Sequence, residues 1–405
     1  MNDSDPSLPR VTIWRRVSVV LGLLLGLRKH DFRSARTWIQ SMYPGASMPV
    51  RWLQFLRWSL RQMWCDIPNA LRSATFAEPV SRTPIWLADG NPLENHPWGQ
   101  LPGAGLPECA HVVVIGAGFT GGSLAYHWAK RAPADSQRKL VVLEMGEAAS
   151  GSSGRNEGLV VMGRYCHMVY KTVHEHLRRT GRYSSDDERR LVARRFAIVY
   201  CKAAYRNADL IEQTVKNEGF DCHYARQGWV QARDPDQQEM LAESVKMALE
   251  TGTTDWTSIP PEEVLRRTGM RVNHHAGFSL AAASFHPAKW VWGLMGVALR
   301  SPHVHLFTRT RVERVEDIGD MYRIQTSRGV VKARYIINAT ESYTPALFPE
   351  FHDTILPMQT QAAFGVSDGG TMKGGVGISS DRAFFGRHGK GILFGSDATR
   401  VPDKE

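Results

Sequence analysis

Residues 111–122 read HVVVIGAGFTGG, and this stretch decides the fold class of the 405-residue chain. The run His111–Ile115 is continuously apolar after its first residue, which predicts a strand buried on both faces. Glycines follow at Gly116, Gly118 and Gly121. In a G-x-G-x-x-G turn the first glycine permits the tight turn, the second lets a pyrophosphate approach, and the third lets helix and strand pack closely. The following helix, with Thr120 in its first turn, would point free N–H groups at the phosphates.

An acid follows the second predicted strand. Leu140–Glu144 is apolar up to Glu144, and a carboxylate at this point accepts hydrogen bonds from an adenosine ribose. The sequence therefore predicts an α/β protein with a Rossmann-type dinucleotide-binding domain. These two strands and their turn fit NAD and FAD equally well, and the residues beyond Glu144 decide between the two cofactors.

The segment after Glu144 reads GEAASGSSGRNEGLV. A small, polar loop of this kind brings backbone N–H groups close to an extended ligand. Its GSSGRNEG part resembles the GASGRNGG segment of the D-amino acid oxidase family, which includes glycine, sarcosine and γ-glutamylputrescine oxidases. The resemblance implies that Ser153, Gly154, Arg155 and Asn156 follow the pyrophosphate and ribityl chain of FAD, with Glu157 where a glycine is usual.

Three later segments match the family in order. SFHPAKWVWGL (284–294) resembles its His/Pro-led helix, and TRVERV (310–315) resembles a strand whose residue at Val312 contacts the adenine through its backbone. INATESYTPALFP (337–349) resembles the strand end that returns to the cofactor, which adds Ala339 and Thr340 to the expected FAD site. The resemblance covers about residues 110–396. It implies a glutathione-reductase-like FAD domain with an α+β substrate domain.

The family resemblance implies oxidation of a C–N bond in an amine or amino acid, by hydride transfer to flavin N5. No dedicated catalytic side chain is assigned, because FAD carries the electronic change. The strand DRAFFGRHGKGILFGS (381–396) resembles the one that passes over the flavin. We expect Arg387 to bind a substrate carboxylate, and Phe384 and Phe385 to form an apolar wall; the alternative for Arg387 is a solvated hairpin arginine. His167 and the pair His274–His275 do not indicate a metal site, because neighbouring histidines point to different faces.

Secondary-structure patterns divide the chain into five expected segments. A helix from about Ser185 to Glu218, opened by the capping box Ser185-x-x-Glu188, precedes helices starting at Asp234–Pro235 and near Pro287. Period-two runs after Val304 predict a β-meander. The segments are 1–106, a basic extension with amphipathic helices and a linker; 109–165, the first FAD segment; 166–285, a helical substrate region; 286–348, the second FAD segment with the meander; and 349–405, a partial substrate sheet.

Composition excludes several protein classes. With 42% hydrophobic residues and 22% charged residues, the chain is expected to be globular. Five widely spaced cysteines without a CxxC pair indicate neither a disulfide framework nor a zinc site, which favours a reducing, cytoplasmic compartment. The net charge of +10 has no accompanying nucleic-acid-binding signature. Half of that excess lies in residues 1–106, which hold 12 Lys or Arg against 7 Asp or Glu.

The basic N-terminal region indicates association with a surface. The 11 apolar residues Val17–Leu27 are too few to cross a bilayer, and basic residues stand where a signal-peptide cleavage site would be. PVRWLQFLRWSLRQMW (49–64) has the composition of an interfacial helix. We expect residues 11–64 to bind a membrane surface peripherally or to associate with another copy; the alternative is that the Trp-rich face packs on the enzyme body. Residues 83–107 are rich in Pro and Gly and are interpreted as an extended linker.

The family resemblance also gives an expectation for the end of the chain. Family members continue for roughly a hundred residues beyond the strand matching 391–396, so the C-terminal part of the fold is expected to be missing, and FAD to be held loosely. Two alternative functions stay open: an NAD-dependent dehydrogenase, and a flavin-fold fragment with impaired catalysis that acts as an interaction or membrane-surface module.

Overall fold

The computed structural model describes residues 12–26, 46–66, 83–94, 96, 105–133, 136–162, 166–233, 235–352, 354–355, 357–366, 371–380, 383–389, 391–396 and 399–400. Residues 97–104 of the predicted linker and the chain end at 401–405 lie outside these ranges. The chain divides into two compact units, Met1–Arg82 and Thr83–Glu405.

The helices follow in chain order. They are α1 (Ile13–Gly26), α2 (Met48–Arg61), α3 (Ile85–Ala88), α4 (Phe119–Arg131), α5 (Cys166–Arg179), α6 (Asp186–Glu218), α7 (Gln238–Thr251), α8 (Pro261–Thr268), α9 (Pro287–Ala298) and α10 (Thr344–Leu347).

The strands are shorter, and most of them follow residue 220. They are β1 (Cys109–Ile115), β2 (Leu140–Leu143), β3 (Leu159–Val160), β4 (Trp229–Gln231), β5 (Thr257–Ile259), β6 (Ala276–Ser279), β7 (Ala283–Ser284), β8 (Val304–Phe307), β9 (Val312–Asp317), β10 (Tyr322–Thr326), β11 (Gly329–Asn338), β12 (Met358–Gln359), β13 (Ala362–Val366), β14 (Gly377–Ser379), β15 (Ala383–His388), β16 (Gly391–Ser396) and β17 (Thr399–Arg400).

In the first unit, described over 12–26 and 46–66, two helices carry basic and apolar residues. Proline near the start of α2 suits the first helical turn, and a π-helical turn, Gln62–Asp66, follows its end. Arg16 of α1 donates a hydrogen bond to the carbonyl of Trp64. None of the helices among the described residues has the length and apolar content needed to cross a bilayer.

The second unit contains a six-stranded sheet in the order β8-β2-β1-β11-β10-β9. The first four of these strands run parallel, and β10 and β9 continue the sheet as an antiparallel meander. Alternate residues of β1 enter different clusters: Val112 and Val114 pack on one face, and Val113 and Ile115 on the other. Both faces of the central strand are therefore buried, as its continuous apolar run predicts.

Helices α4 and α9 pack together on one face of this sheet. Gly122 of α4 would bring a Cβ to 3.5 Å from Val291 of α9, which is ordinary contact, so the two helices approach closely at this point. The side chains of α9 that enter the same core include Trp290, Val291 and Met295.

The unit also contains a seven-stranded sheet in the order β13-β16-β15-β14-β4-β6-β5 and two two-stranded sheets, β3-β7 and β12-β17. Helices α5 and α6 pack against one another through a small cluster that includes Cys166, Ala197 and Cys201. The capping box predicted for α6 is confirmed: Ser185 Oγ accepts from the N–H of Glu188, and the Glu188 side chain accepts from the backbone N–H of Ser185. Gly219 ends the helix at φ 66°.

Candidate functional site: a dinucleotide cradle at the carboxyl edge of the parallel sheet

The carboxyl ends of four parallel strands meet at one edge of the six-stranded sheet. Ile115 pairs in register with both Leu143 and Asn338, and Leu143 pairs with Phe307. Ligands of open α/β sheets bind in the crevice outside this edge. The glycine-rich turn after β1 and the acid after β2 both lie at this edge, as the sequence predicts.

The glycine-rich turn has the close backbone approaches that its spacing predicts. Gly116 has φ 109°, and a Cβ there would lie 2.6 Å from the carbonyl oxygen of Ala339. A Cβ on Gly121 would lie 1.9 Å from the carbonyl oxygen of Gly116. The first glycine therefore brings the end of strand β11 against the turn, and the third lets α4 pack on it.

Gly118 brings the turn against the loop that follows Glu144. It is the N-cap of α4, and a Cβ there would lie 2.6 Å from Ser153 Oγ. That hydroxyl accepts a hydrogen bond of 2.9 Å from the N–H of Phe119. Thr120 is exposed in the first turn of α4, where helical N–H groups have no intrahelical acceptor. The helix N-terminus is thus positioned to receive an anion.

Glu144 lies at the end of β2 beside the same turn. One carboxylate oxygen accepts from the N–H of Ala117 and the other from the N–H of Gly146, both at 2.8 Å. Burial raises the pKa of this carboxyl, while the backbone N–H groups of Ala117 and Gly146 oppose that shift. Since each carboxylate oxygen accepts more than one hydrogen bond, Glu144 retains acceptor capacity for a ribose hydroxyl.

The loop Ser152–Gly158 is held by Asn156. Its side-chain amide donates to the carbonyl of Ser153 at 2.8 Å, and its Oδ1 accepts from the N–H of Gly158 at 2.9 Å. Arg155 is exposed, and its Nε donates to the carbonyl of Ser150. Gly154 is buried, with a Cβ position only 2.2 Å from the carbonyl oxygen of Ala149. In the structure, Asn156 therefore shapes the loop.

We call the turn 116–121, Glu144 and the loop 152–158 the cradle, and we call 152–158 the cofactor loop. The remaining predicted cofactor residues lie beside the cradle. Thr310 donates its N–H to the carbonyl of Glu144, which brings the chain entering β9 alongside the acid. Val312 begins β9 and packs in a cluster with Leu143 and Phe307. Thr340 follows β11, and its hydroxyl donates to Asn338 Oδ1 at 2.6 Å.

The predicted substrate residues lie on β15, and strand alternation separates them from the cofactor loop. Phe385 packs in the cluster of Val230 and Ile378, and Arg387 Nη1 donates to the carbonyl of Met372 at 2.9 Å. Phe384 instead packs against the hydrophobic core that also includes buried residues of the first FAD segment. Arg387 and Phe385 therefore lie on the face of β15 opposite Phe384, and their substrate-binding role stays a prediction.

The face of β15 turned toward the cofactor loop carries Phe384, Gly386 and His388. The His388 ring lies edge-on to Trp86, with centroids 4.6 Å apart, and Trp86 donates its indole N–H to the carbonyl of Asn156. Sequence reasoning missed Trp86 because it stands in a Pro- and Gly-rich stretch. The one signal in the sequence was the apolar group Ile85–Leu87 inside that stretch.

Among the described residues, no group of three or more His, Cys, Asp or Glu side chains is placed to hold a metal ion. All five cysteines are free thiols.

Comparison with known families decides the identity of the cofactor domain. The DAO family, described as FAD-dependent oxidoreductases, matches residues 111–404. The chain belongs to this family. The D-amino acid oxidase resemblance seen in the sequence is thereby confirmed, and so is the Rossmann-type FAD-binding fold.

Several solved structures share this fold. An L-proline dehydrogenase from P. horikoshii has a TM-score of 0.54 and 18% identity over 72% of this chain and 70% of that one. A glycine oxidase from Bacillus cereus has a TM-score of 0.52 and 17% identity over 73% and 72%. An L-amino acid deaminase from Proteus vulgaris, with its specific insertion sequence deleted, has a TM-score of 0.53 and 18% identity over 72% and 69%. At these identities the likeness establishes the fold.

A curated relative is the probable oxidoreductase OrdL of Haemophilus influenzae. It is 23% identical over 269 residues, which are 64% of this chain and 56% of the relative. The chain thus spans a little over half the length of this relative.

The cradle fits the cofactor of the DAO family. The spaces that side chains would fill at Gly116, Gly118 and Gly121 are kept open by glycine. The exposed N-terminal turn of α4 suits a pyrophosphate, and Glu144 suits a ribose. The family is FAD-dependent, and we propose that the turn 116–121, Glu144 and the loop 152–158 hold the cofactor.

Proposed function

We propose that this chain oxidises a C–N bond of an amine or amino acid, using FAD as the electron acceptor. The observation that carries the proposal is the meeting of three cofactor segments, Gly116–Gly121, Glu144 and Ser152–Gly158, beside a sheet that presents Phe384 and His388. The names of family relatives that act on proline, glycine and other amino acids support the same substrate class.

Bound FAD would supply a two-electron acceptor: the substrate carbon would give up hydride to flavin N5 while the amine nitrogen forms a C=N bond and releases its proton. Water then hydrolyses the imine to a carbonyl and a free amine or ammonia. The protein's part is binding and orientation. The N-terminus of α4 would stabilise the pyrophosphate, and Glu144 would accept from the ribose.

We propose that the substrate lies against the face of β15 that carries Phe384 and His388. Phe384 is partly buried and supplies an apolar surface. Burial lowers the pKa of His388 to about 4, so its imidazole is neutral at pH 7. A neutral, apolar surrounding favours the uncharged form of an amine, which is the form that can release hydride. Arg387 would act in the same sheet by tying β15 to the carbonyl of Met372.

A second proposal concerns the N-terminal unit. Along α2, Trp52, Leu53, Leu56 and Leu60 are exposed, and Arg51, Arg57 and Arg61 are its only charged residues. A helix that is both apolar on one side and purely cationic suits an anionic membrane surface. We propose peripheral attachment through this helix, with self-association as the competing outcome of the test.

The proposed reaction is tested by anaerobic flavin reduction. The purified chain, loaded with FAD, is mixed with a panel of primary amines, secondary amines and amino acids, and the loss of flavin absorbance in the visible region is measured. Reduction by at least one class supports the proposal. A loaded chain that no member of the panel reduces would favour the alternative of a flavin fold with impaired catalysis, and reduction only by NADH would point to nicotinamide chemistry instead.

A further inference from the structure

A short segment before the family-matched region is packed onto the cofactor loop. Residues 85–89 precede position 111, where the family match begins. Trp86 is 3% exposed, and its indole N–H donates to the carbonyl oxygen of Asn156 at 2.7 Å. The expected linker therefore contributes one of the most buried aromatic side chains near the cofactor site.

The loop 152–158 has two glycines at the points where residues 85–89 contact it. A Cβ on Gly154 would lie 2.9 Å from Leu87 Cδ2, and a Cβ on Gly158 would lie 2.9 Å from the Trp86 ring. Gly158 also has φ 70°, a backbone conformation that favours glycine. These contacts show that the loop and the segment are shaped to one another.

The segment is attached at further points to the cofactor domain. Asp89 Oδ2 lies 3.3 Å from Lys289 Nζ and 3.4 Å from His286 Nε2, both at the start of α9. Asn91 Nδ2 donates to Glu147 Oε2 at 3.4 Å, next to the turn that follows β2. The backbone on the C-terminal side of Leu87 is thus tied to elements that flank the FAD cradle.

Trp86 also contacts the second sheet. Its ring lies edge-on to His388 of β15 at 4.6 Å and to His286 at 5.0 Å. A single side chain thus bridges the cofactor loop, the start of α9 and the strand that carries the proposed substrate wall. Moving it would alter the loop and the spacing between the cofactor and that wall.

We propose that Trp86 is a positioning residue for FAD. It holds the loop Ser152–Gly158 in its cofactor-binding shape through the Asn156 carbonyl, and it sets the spacing to β15 through His388. The role goes beyond the family's glycine-rich motifs and rests on the assignment of FAD to this cradle.

The test compares Trp86→Phe with Trp128→Phe in the full chain. Phenylalanine keeps an aromatic ring but cannot donate to Asn156. Trp128 packs against the same core, and its indole N–H meets no acceptor among the described residues, so its replacement controls for loss of a tryptophan. Losing one buried hydrogen bond should weaken FAD binding roughly 3- to 10-fold in Trp86→Phe. It should also change the visible circular dichroism of the bound flavin, while Trp128→Phe leaves both near wild type.

A measurement on the unmodified protein keeps the test independent of how well variants fold. Because coupling between two sites is reciprocal, FAD must stabilise the segment that stabilises its loop. Amide hydrogen exchange across residues 84–92 should therefore slow when FAD is added. Equal FAD affinity and flavin dichroism in Trp86→Phe and Trp128→Phe, or exchange in 84–92 that FAD leaves unchanged, would overturn the positioning role. A wild-type chain that takes up no FAD would instead overturn the cofactor assignment itself.

Discussion

Gly118 shows at the residue scale how one absent side chain opens a site. A Cβ at this position would meet Ser153 Oγ at 2.6 Å and displace the hydroxyl that accepts from Phe119. We propose that the pyrophosphate of FAD approaches the helix N-terminus through the same space.

Replacing Gly118 with valine should therefore weaken FAD binding severely. Overpacking alone costs about 1–3 kcal/mol, and that is roughly a 5- to 150-fold loss of affinity. Gly365→Val in β13 is the matched control, because that position is exposed and a Cβ there has no heavy atom within 4 Å. Equilibrium titration with FAD measures both. Wild-type affinity in Gly118→Val would show that the pyrophosphate does not pass this turn.

The buried histidines around Trp86 predict acid sensitivity. Burial lowers the pKa of both His286 and His388 from 6.5 to about 4, and Lys289 and His223 add to the effect at His286 while Asp89 opposes it. Between pH 6.5 and 4 these two histidines bind more protons in the unfolded chain than in the folded one. The free energy of unfolding is therefore unaffected by them above pH 6.5 and decreases as the pH falls through that window.

We expect the melting temperature to fall steadily between about pH 6.5 and 4.5, as these shifts require. His388→Phe should make that decline shallower, whereas His274→Phe, at an exposed position, should leave it unchanged. Thermal unfolding at a series of pH values is the measurement. An identical decline in wild type and His388→Phe would mean that this imidazole does not resist protonation.

Motif spacing predicted the positions of the glycines and of the acid, because the backbone geometry that they require is set within a short stretch of sequence. Gly116, Gly118, Gly121 and Glu144 lie where the backbone itself must approach another group, so few residue types fit. The orientation of Arg387 could not be predicted in the same way. Which face of β15 meets the cofactor depends on pairing with β14 and β16, and a shift of one residue exchanges the faces.

Among the secondary-structure elements, strong periodicity and caps located the long helices and the meander. The helix α6 begins and ends where its capping box and Gly219 predict. The predicted meander ends in one long strand, β11, which pairs with β10 on one side and with β1 on the other. The helix α3 has only four residues, too few for any periodic signal, and is stabilised by the packing of Trp86.

We expect helix α2 to bind anionic membrane surfaces. Anionic vesicles should bind the full chain, and neutral vesicles should not. Replacing Arg51, Arg57 and Arg61 together by glutamine should weaken binding by about 1 kcal/mol per charge, or roughly 100-fold in all. Co-sedimentation with vesicles of both compositions measures this. Association seen only between protein molecules, by analytical ultracentrifugation, would favour self-association through residues 11–64.

For the molecule as a whole, the family match begins close to the strand β1 and leaves residues 1–110 outside it. The structure nevertheless divides the chain at Arg82, so the region from Thr83 belongs to the same compact unit as the cofactor domain. Buried contacts of Trp86, rather than the family boundary, explain this division.

Every catalytic and positioning role proposed above depends on binding of FAD at the carboxyl edge of the parallel sheet. The most direct measurement is titration of the purified, cofactor-free 405-residue chain with FAD and with NAD, monitored by visible circular dichroism and isothermal calorimetry. We predict saturable binding of one FAD per chain, with induced dichroism in the flavin bands, and no binding of NAD at the same concentrations. Binding of NAD in preference to FAD, or no flavin dichroism at any FAD concentration, would contradict the account.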